Sequence, residues 1–470
     1  MRYLFGFLCV CALGLMPLVG CSETAGTGGS GGGVGGDGGT GGMAECQDPE
    51  DCDDREECTT DDCSEGTCEY TPVADSTACA ENNECTAGQC AEGVCEATPL
   101  ANGTPCGDNA DTCQDGHCVA DCEGSVCPCS EAGIRGAIAE GGGPFTFDCD
   151  DSQIVVTDAE IVVDNDVVLD GEGNLTVDGD DDHVVFNVPE GTTAELRGLV
   201  VTNGRSVPFG CIVNDGDLTL TNSTVSRCSS EGDETGMVQA GPSAISNEGA
   251  LTLVDSEVVE NDGIPLGNGA GRSMTLVRTT VSRNAEGGIF NGDGSLVVID
   301  STVSDNGGTE AGIGVDGDDG SLVLTNSTVS GNGRGVGASG SSLMLVNSTV
   351  IGDVGQPSAD GTLNVTGSVI VGACVDMLVT SDGYNIESPG DTCGFDHGTD
   401  LVIITEGQLD LGELAANGGP TMTHALGAES VAINRIPAVD CGVTTDQRGE
   451  PRPVGEGCDV GSFERQPEDP

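Results

Sequence analysis

An eight-residue phrase returns eight times between Ala194 and Ile370, and a chain that repeats itself in this way has few options for folding. The phrase reads AELRGLVV at 194, LTLTNSTV at 218, LTLVDSEV at 251, MTLVRTTV at 274, LVVIDSTV at 296, LVLTNSTV at 322, LMLVNSTV at 343 and LNVTGSVI at 363. Successive starts lie 20 to 33 residues apart, the period range of a solenoid in which each turn is one structural unit. Such spacing leaves no room for a long helix.

Aligned, the phrases become columns, and each column states which way its residues point. The first (Leu218, Leu251, Met274, Leu296, Leu322, Leu343 and Leu363, after Ala194) and the third (Leu196, Leu220, Leu253, Leu276, Val298, Leu324, Leu345 and Val365) are apolar and two apart, as on one face of a strand. The eighth is Val in every phrase except the last, which has Ile370, and this suits a second strand after a bend. The sixth, Leu199 aside, is small and hydroxylic: Ser223, Ser256, Thr279, Ser301, Ser327, Ser348 and Ser368. Three positions past the eighth stand Asn261, Asn284, Asn306 and Asn332. Asn tolerates a left-handed bend and its amide bonds the amide one coil above, so an Asn ladder is expected. A single coil cannot bury its apolar edge alone, so neighbours must stack, with parallel strands satisfying each other's backbone. Eight rungs make a rod of about 40 Å.

Composition supports a coil of tight turns: 77 Gly, three Tyr, nine Phe and no Trp. The 14 basic residues are all Arg, against 79 Asp plus Glu, for a formal charge of −65. Such a field repels nucleic acid and anionic headgroups and favours cations, so no nucleic-acid partner is expected. The acidity reads either as solubility in salt or as a calcium role.

Export is written at the N-terminus, where Arg2 precedes an apolar run from Tyr3 to Val19 that is too short to span a bilayer. Residues 23–42 are almost wholly Gly, Ser, Thr and Ala, a flexible tether. Fourteen cysteines then lie between Cys46 and Cys127, and Cys52, Cys58, Cys63, Cys68 repeat 27 residues later as Cys79, Cys85, Cys90, Cys95. In an exported chain this is a disulfide framework whose connectivity the spacing leaves open. Zinc is the rival, but the stretch holds one His (His117) and no clean CxxC pair. The domain reading is a signal peptide at 1–20, an acylated Cys and tether at 21–43, a Cys-rich module at 44–128, a cap at 129–150, the coil at 151–400 and a C-terminal segment at 401–470. Strands are expected at 154–156, 161–163, 167–169, 175–177 and 184–188, with turns at Asp170-Gly171 and Asp178-Gly179.

Several of these stretches resemble known families. The columns resemble right-handed parallel β-helix repeats of pectate-lyase-like proteins, and that resemblance implies an all-β solenoid preceded by a small disulfide-rich module. Leu18-Val19-Gly20-Cys21 resembles a bacterial lipobox, which implies diacylglycerol on Cys21, and Ser22 then implies an outer-membrane or cell-surface address. The Cys repeats are similar to those of myxobacterial surface proteins. Cys129-Ser130 with Ile134-Arg135-Gly136-Ala137-Ile138 resembles the opening phrase of exported β-helix proteins, and Ile134 and Ile138 would cover the open end of the coil. Leu411 to Leu426, Thr445-Asp446-Gln447-Arg448-Gly449 and Cys458-Asp459-Val460-Gly461-Ser462-Phe463-Glu464 resemble the choice-of-anchor Q domain. Disulfide candidates are Cys211 with Cys228, Cys374 with Cys393 and Cys441 with Cys458.

Polysaccharide lyases and hydrolases use this architecture, so the fold leaves activity open. The pectate-lyase set would need Lys, which is absent, and Gly317-Asp318-Asp319 resembles one piece of the polygalacturonase signature without its Gly-His-Gly. One column carries charge: Asp255, Arg278 and Asp300 follow one another at the fifth position, between Asn222 and Asn326. They read either as an acid-base-acid strip on a glycan-binding face, and so as catalytic candidates, or as pairs that stabilise the bend. Asp180, Asp181, Asp182 and Asp316, Asp318, Asp319 are candidate calcium loops or solvated turns. The expected function is a surface-displayed lipoprotein, structural or adhesive, contacting polysaccharide or matrix. The alternatives are a cell-attached lyase or hydrolase on an acidic glycan and a calcium-dependent binding module.

Overall fold

The computed structural model describes residues 46, 48, 52, 57–64, 66–79, 84–107, 111–206, 209–230, 243–308, 311–356 and 361–469. The expected signal peptide, Cys21 and the tether lie outside the described residues. The chain divides into two compact units, Met1–Arg55 with Thr60–Thr71, and Glu56–Thr59 with Pro72–Pro470. Disulfides Cys46–Cys63 and Cys52–Cys68 tie the first.

The second unit carries a parallel β-helix of about ten turns, and each full turn contributes three strands rather than the two legible in the phrase. First-sheet strands such as Ser273–Val277, Ser295–Ile299 and Ser321–Thr325 stack in unbroken register, Met274 on Leu296 on Leu322. Second-sheet strands such as Thr280–Ser282, Thr302–Ser304 and Thr328–Ser330 follow after the bend. A third sheet of ten strands closes each turn and includes Ile264–Asn268, Ile289–Gly292, Ala311–Asp316 and Arg334–Ser339. The first, third and eighth columns face inward and are at most 1 % exposed. Burying one such Leu or Val contributes about 1.5–3 kcal/mol, before the entropy of ordering the coil is set against it.

Between the first and second sheets the chain turns on one residue in the left-handed region: Asn222, Asp255, Arg278, Asp300, Asn326 and Asn347 all have φ between 47° and 51°. This geometry explains why the fifth column is mostly Asn and Asp. The next residue points inward. Its hydroxyl donates to the carbonyl two residues back, as Ser301 does to Ile299, and accepts the backbone N–H of the preceding rung, as Ser327 Oγ does from Ser301. Asn261, Asn284, Asn306 and Asn332 form the expected ladder, each side-chain amide donating to the next at 2.8–3.0 Å. They are not the left-handed residues, however. Their predecessors are: Glu260, Arg283, Asp305 and Gly331 have φ of 58°, 57°, 53° and 71°. A second ladder, Asn214 to Asn247 to Asn268 to Asn291, runs along the end of the third sheet at 2.6–2.7 Å.

The first rungs are less regular. Val167–Asp178 is one strand whose register shifts between Asp170 and Leu175, so the expected Asp170-Gly171 turn is a bend within the ladder, with Glu172 at φ 51°. The strand expected at 184–188 starts at Phe186. Helix α1 (Glu131–Glu140) caps this end, with Ser130 accepting from the Gly133 N–H and Ile134 and Ile138 in the same core as Leu169. Arg135 pairs with Glu131 and donates to the carbonyls of Ala159 and Glu160. A methyl group at Gly136 would meet the Ala120 carbonyl at 2.0 Å, so only Gly lets the preceding chain lie against the cap.

The C-terminal segment returns over the outer face of the second sheet. Thr302 donates to the Met422 carbonyl, Thr328 to Gln447, and Ser462 N–H to Thr349. Its own core joins Val369 and Ile386 to Leu409, Leu426, Ile436, Val460 and Phe463. Among the described residues no helix is long and apolar enough to cross a membrane.

Asn284 donates to Asn306 and to the Val258 carbonyl and accepts from Asn261, all in the interior. Asn284→Ala should therefore lower stability by about 2–3 kcal/mol, because it strands buried partners on both neighbouring rungs. Urea unfolding checks this, and a change within about 0.5 kcal/mol would count against the ladder as a stabilising element.

Candidate functional site

At the bend column the structure joins Asp255 and Arg278 in a direct ion pair and leaves Asp300 outside that pair, within electrostatic reach of Arg278. Arg278 Nε and Nη2 reach Asp255 Oδ1 and Oδ2 at 2.6 and 2.7 Å, a bidentate pair that takes both oxygens. The hydrogen bond to Asp255 holds the Arg278 guanidinium charged, above its ordinary value. The side chains are 40 % and 31 % exposed, so the pair contributes about 0.2–1 kcal/mol. Asp300 is half-buried beneath the C-terminal segment, where the Thr421 hydroxyl donates to its carbonyl, and burial pushes its carboxyl above the usual range.

The pair opens onto a cleft of about 250 Å³ lined by Asn222, Glu257, Thr280 and Pro420. This cleft marks where the C-terminal segment stops covering the second sheet. The outward Thr302, Thr328 and Thr349 lie beneath that segment and are at most 3 % exposed, while Glu257 one rung before Thr280 stands in solvent.

The motif residues of the C-terminal segment form a buried charged network. Asp446 accepts from the N–H groups of Arg448, Glu450 and Glu464, and its side chain pairs with Arg448 at 2.9 Å. Arg448 also donates to the Asn417 and Glu464 carbonyls and lies 3.8 Å from the Phe463 ring centre. Arg452 donates to the Asp459 and Gly461 carbonyls. Glu464 accepts from the Val454 and Asp459 N–H groups. Gln447 bridges Thr302, Thr421 and Met422, which locks the segment to the second sheet. Asp446, Gln447, Arg448, Arg452 and Glu464 hold the fold together, while Pro420, Thr421 and Met422 of the same segment edge a cleft of about 140 Å³ beside the second sheet.

A third-sheet cleft of about 190 Å³ was not legible in the sequence. Phe290, Gly314 and Gly337 lie on its floor, and Glu286, Asp316 and Arg334 line it. The signal available was the glycine alternation in GIFNG, GIGVD and GVGAS, which leaves that face of three strands nearly bare.

The acidic loops do not gather ligands. Asp180 and Asp181 are exposed left-handed turn residues with φ of 52° and 57°, and the Asp180 N–H donates to Asp178. Asp182 is exposed and its N–H donates to the Gly179 carbonyl. Asp316, Asp318 and Asp319 are also exposed, and the Asp319 N–H donates to Asp293. Among the described residues, the trios of possible ligand atoms that converge within 4.8 Å are cysteines, each already in a disulfide.

The histidines are dispersed. His183 bonds Thr157 and His397 bonds Thr399. His424 bonds Ser330 and the Gly412 carbonyl, and burial lowers its pKa. Burial likewise lowers that of His117. The structure joins Cys211 to Cys228, Cys374 to Cys393 and Cys441 to Cys458.

No family model matches the chain, and no curated protein matches it. A crystal structure of the pectate lyase Pel9A is similar with a TM-score of 0.42 and 15 % identity, over 70 % of this chain and 90 % of that one. The β-helix assignment rests on the strand ladders themselves.

Burial pushes the Glu464 carboxyl up to about 7, from an ordinary value of 4.5. A raised folded value means the fold favours the neutral acid, so this contribution is full below about pH 4.5 and is lost as pH rises through about 7. Thermal midpoints measured across that window should fall with pH, and Glu464→Gln should flatten the fall. An unchanged slope in the variant would assign the effect to other carboxylates.

Proposed function

We propose that the chain is an exported, surface-displayed β-helix that serves adhesion or envelope structure through contact with glycan, anchored to an outer membrane by an acylated Cys21. The observation that carries the glycan reading is the open third-sheet cleft. There an aromatic ring, carboxylates and a guanidinium line one shallow surface, the mixture that recognises a polar ring with an apolar face. At the bend column Arg278 engages both oxygens of Asp255, which supports reading that column as an ion pair that steadies the bend. Eleven disulfides take up all the described cysteines, which supports an oxidising compartment. The anchoring reading is supported by the Leu18 to Cys21 phrase and the Gly-rich tether. The C-terminal segment is read as a choice-of-anchor Q-like closure, supported by its quoted motif.

The anchor is tested by fractionating cells that express the chain. Wild type should partition with the outer membrane and Cys21→Ala should appear in the soluble fraction; equal membrane retention would exclude lipid anchoring at Cys21. The glycan reading is tested by incubating the full chain with pectin, alginate and neutral polysaccharides, with calcium or chelator, and assaying binding and new chain ends. Binding without new ends is expected. New ends that disappear in Arg278→Ala would instead establish a lyase or hydrolase, and binding lost in chelator would establish the calcium-dependent reading.

A further inference from the structure

Resting on the glycan-contact reading, we propose that the third-sheet cleft is a subsite for a single pyranose ring of an uncharged glycan, with Phe290 as its stacking platform. Phe290 stands in an outward column of the sheet, paired with Gly267 on one side and Gly314 on the other, with Gly337 beyond. A methyl group placed on Gly314 would stand 3.8 Å from the Phe290 ring, so the neighbouring rungs leave that ring uncovered. A half-buried aromatic between glycines offers an apolar patch one ring wide, and a pyranose presents C–H groups on one face and hydroxyls around its edge. Glu286 and Arg334, both exposed at the cleft, supply an acceptor and a donor set for those hydroxyls.

Size and charge narrow the ligand. The cleft holds about 190 Å³, the liquid volume of about six waters, which suits one sugar ring and not an extended chain. A formal charge of −65 repels polyuronates at long range, and at close range Arg334 beside Glu286 and Asp316 gives the lining both donors and acceptors, the mixture that hydroxyls use. An uncharged hexose residue within a longer glycan fits that mixed lining. Affinity for so small a contact is expected in the millimolar range.

The test titrates the full chain in detergent with cellotetraose, maltotetraose and mannotetraose, and with tetragalacturonate as the charged comparison, by saturation-transfer NMR and calorimetry. At least one neutral oligosaccharide should bind, and Phe290→Ala and Gly314→Val should each weaken it about tenfold, the first removing the platform and the second filling the space beside it. Arg334→Gln, at an exposed position, should also weaken binding and keeps the test open if either of the others folds poorly. Neutral binding unchanged in all three variants would place the site elsewhere while leaving the glycan reading intact. Binding of tetragalacturonate alone would overturn the uncharged class, and no binding of any of the four would overturn the subsite, while the glycan reading stands or falls on the polysaccharide incubation above.

Discussion

Everything in the solenoid depends on each coil repeating the one beside it, atom above atom. Parallel rungs satisfy their backbone groups only through the coil on either side, so a residue type that suits one rung must suit its neighbours. That requirement sorts the interior. Apolar columns stack into a continuous core, and polar side chains recur as columns of their own: the sixth-column hydroxyls bond backbone groups, and Asn261, Asn284 and Asn306 each donate to the Asn of the next rung. A lone polar residue inside such a coil would strand a partner. The left-handed bend residue follows from the same rule, since every turn must leave the first sheet at the same angle.

A stack of this kind leaves its outer faces to be used or covered. The C-terminal segment covers the upper second sheet by engaging Thr302, Thr328 and Thr349, and it buries Asp446, Arg448, Arg452, Asp459 and Glu464 in doing so. Removing one partner of a buried charged pair such as Asp446–Arg448 leaves the other uncompensated, so each member is costly to lose. The third sheet is handled differently. Its outward positions are trimmed to Gly around Phe290, which keeps a patch of that face open.

How far the sequence could be read follows from where the repeat is strict. The first, third, sixth and eighth columns are regular because their residues touch like residues on the next rung, and the Leu, Ser and Val positions were legible for that reason. The third sheet was not, because the segments that carry it vary in length between phrases and its glycines look like turns. The fifth column shows how a local requirement can resemble a functional one. Asp255, Arg278 and Asp300 invite a charge-based reading, yet all three share a φ near 50° with Asn222, Asn326 and Asn347, and the bend selects the column. In the C-terminal segment the Asp446-Gln447-Arg448 phrase stood out as a motif, but its role in holding the segment on Thr302 depends on a contact between residues 145 positions apart, which no local pattern displays. The cleft at Phe290 depends on residues from separate turns and on missing side chains, neither of which a linear pattern displays.

We propose that recognition takes place on the open third-sheet face and not along the charged bend column. Hydroxyl-radical footprinting of the full chain, with and without a bound neutral oligosaccharide, tests this most directly, because Phe290 marks the third sheet and Met422 lines a cleft beside the second. Sugar should suppress labelling of Phe290 and leave Met422 unchanged. Protection of Met422 with Phe290 still labelled would contradict it and move the binding face to the groove beside Pro420.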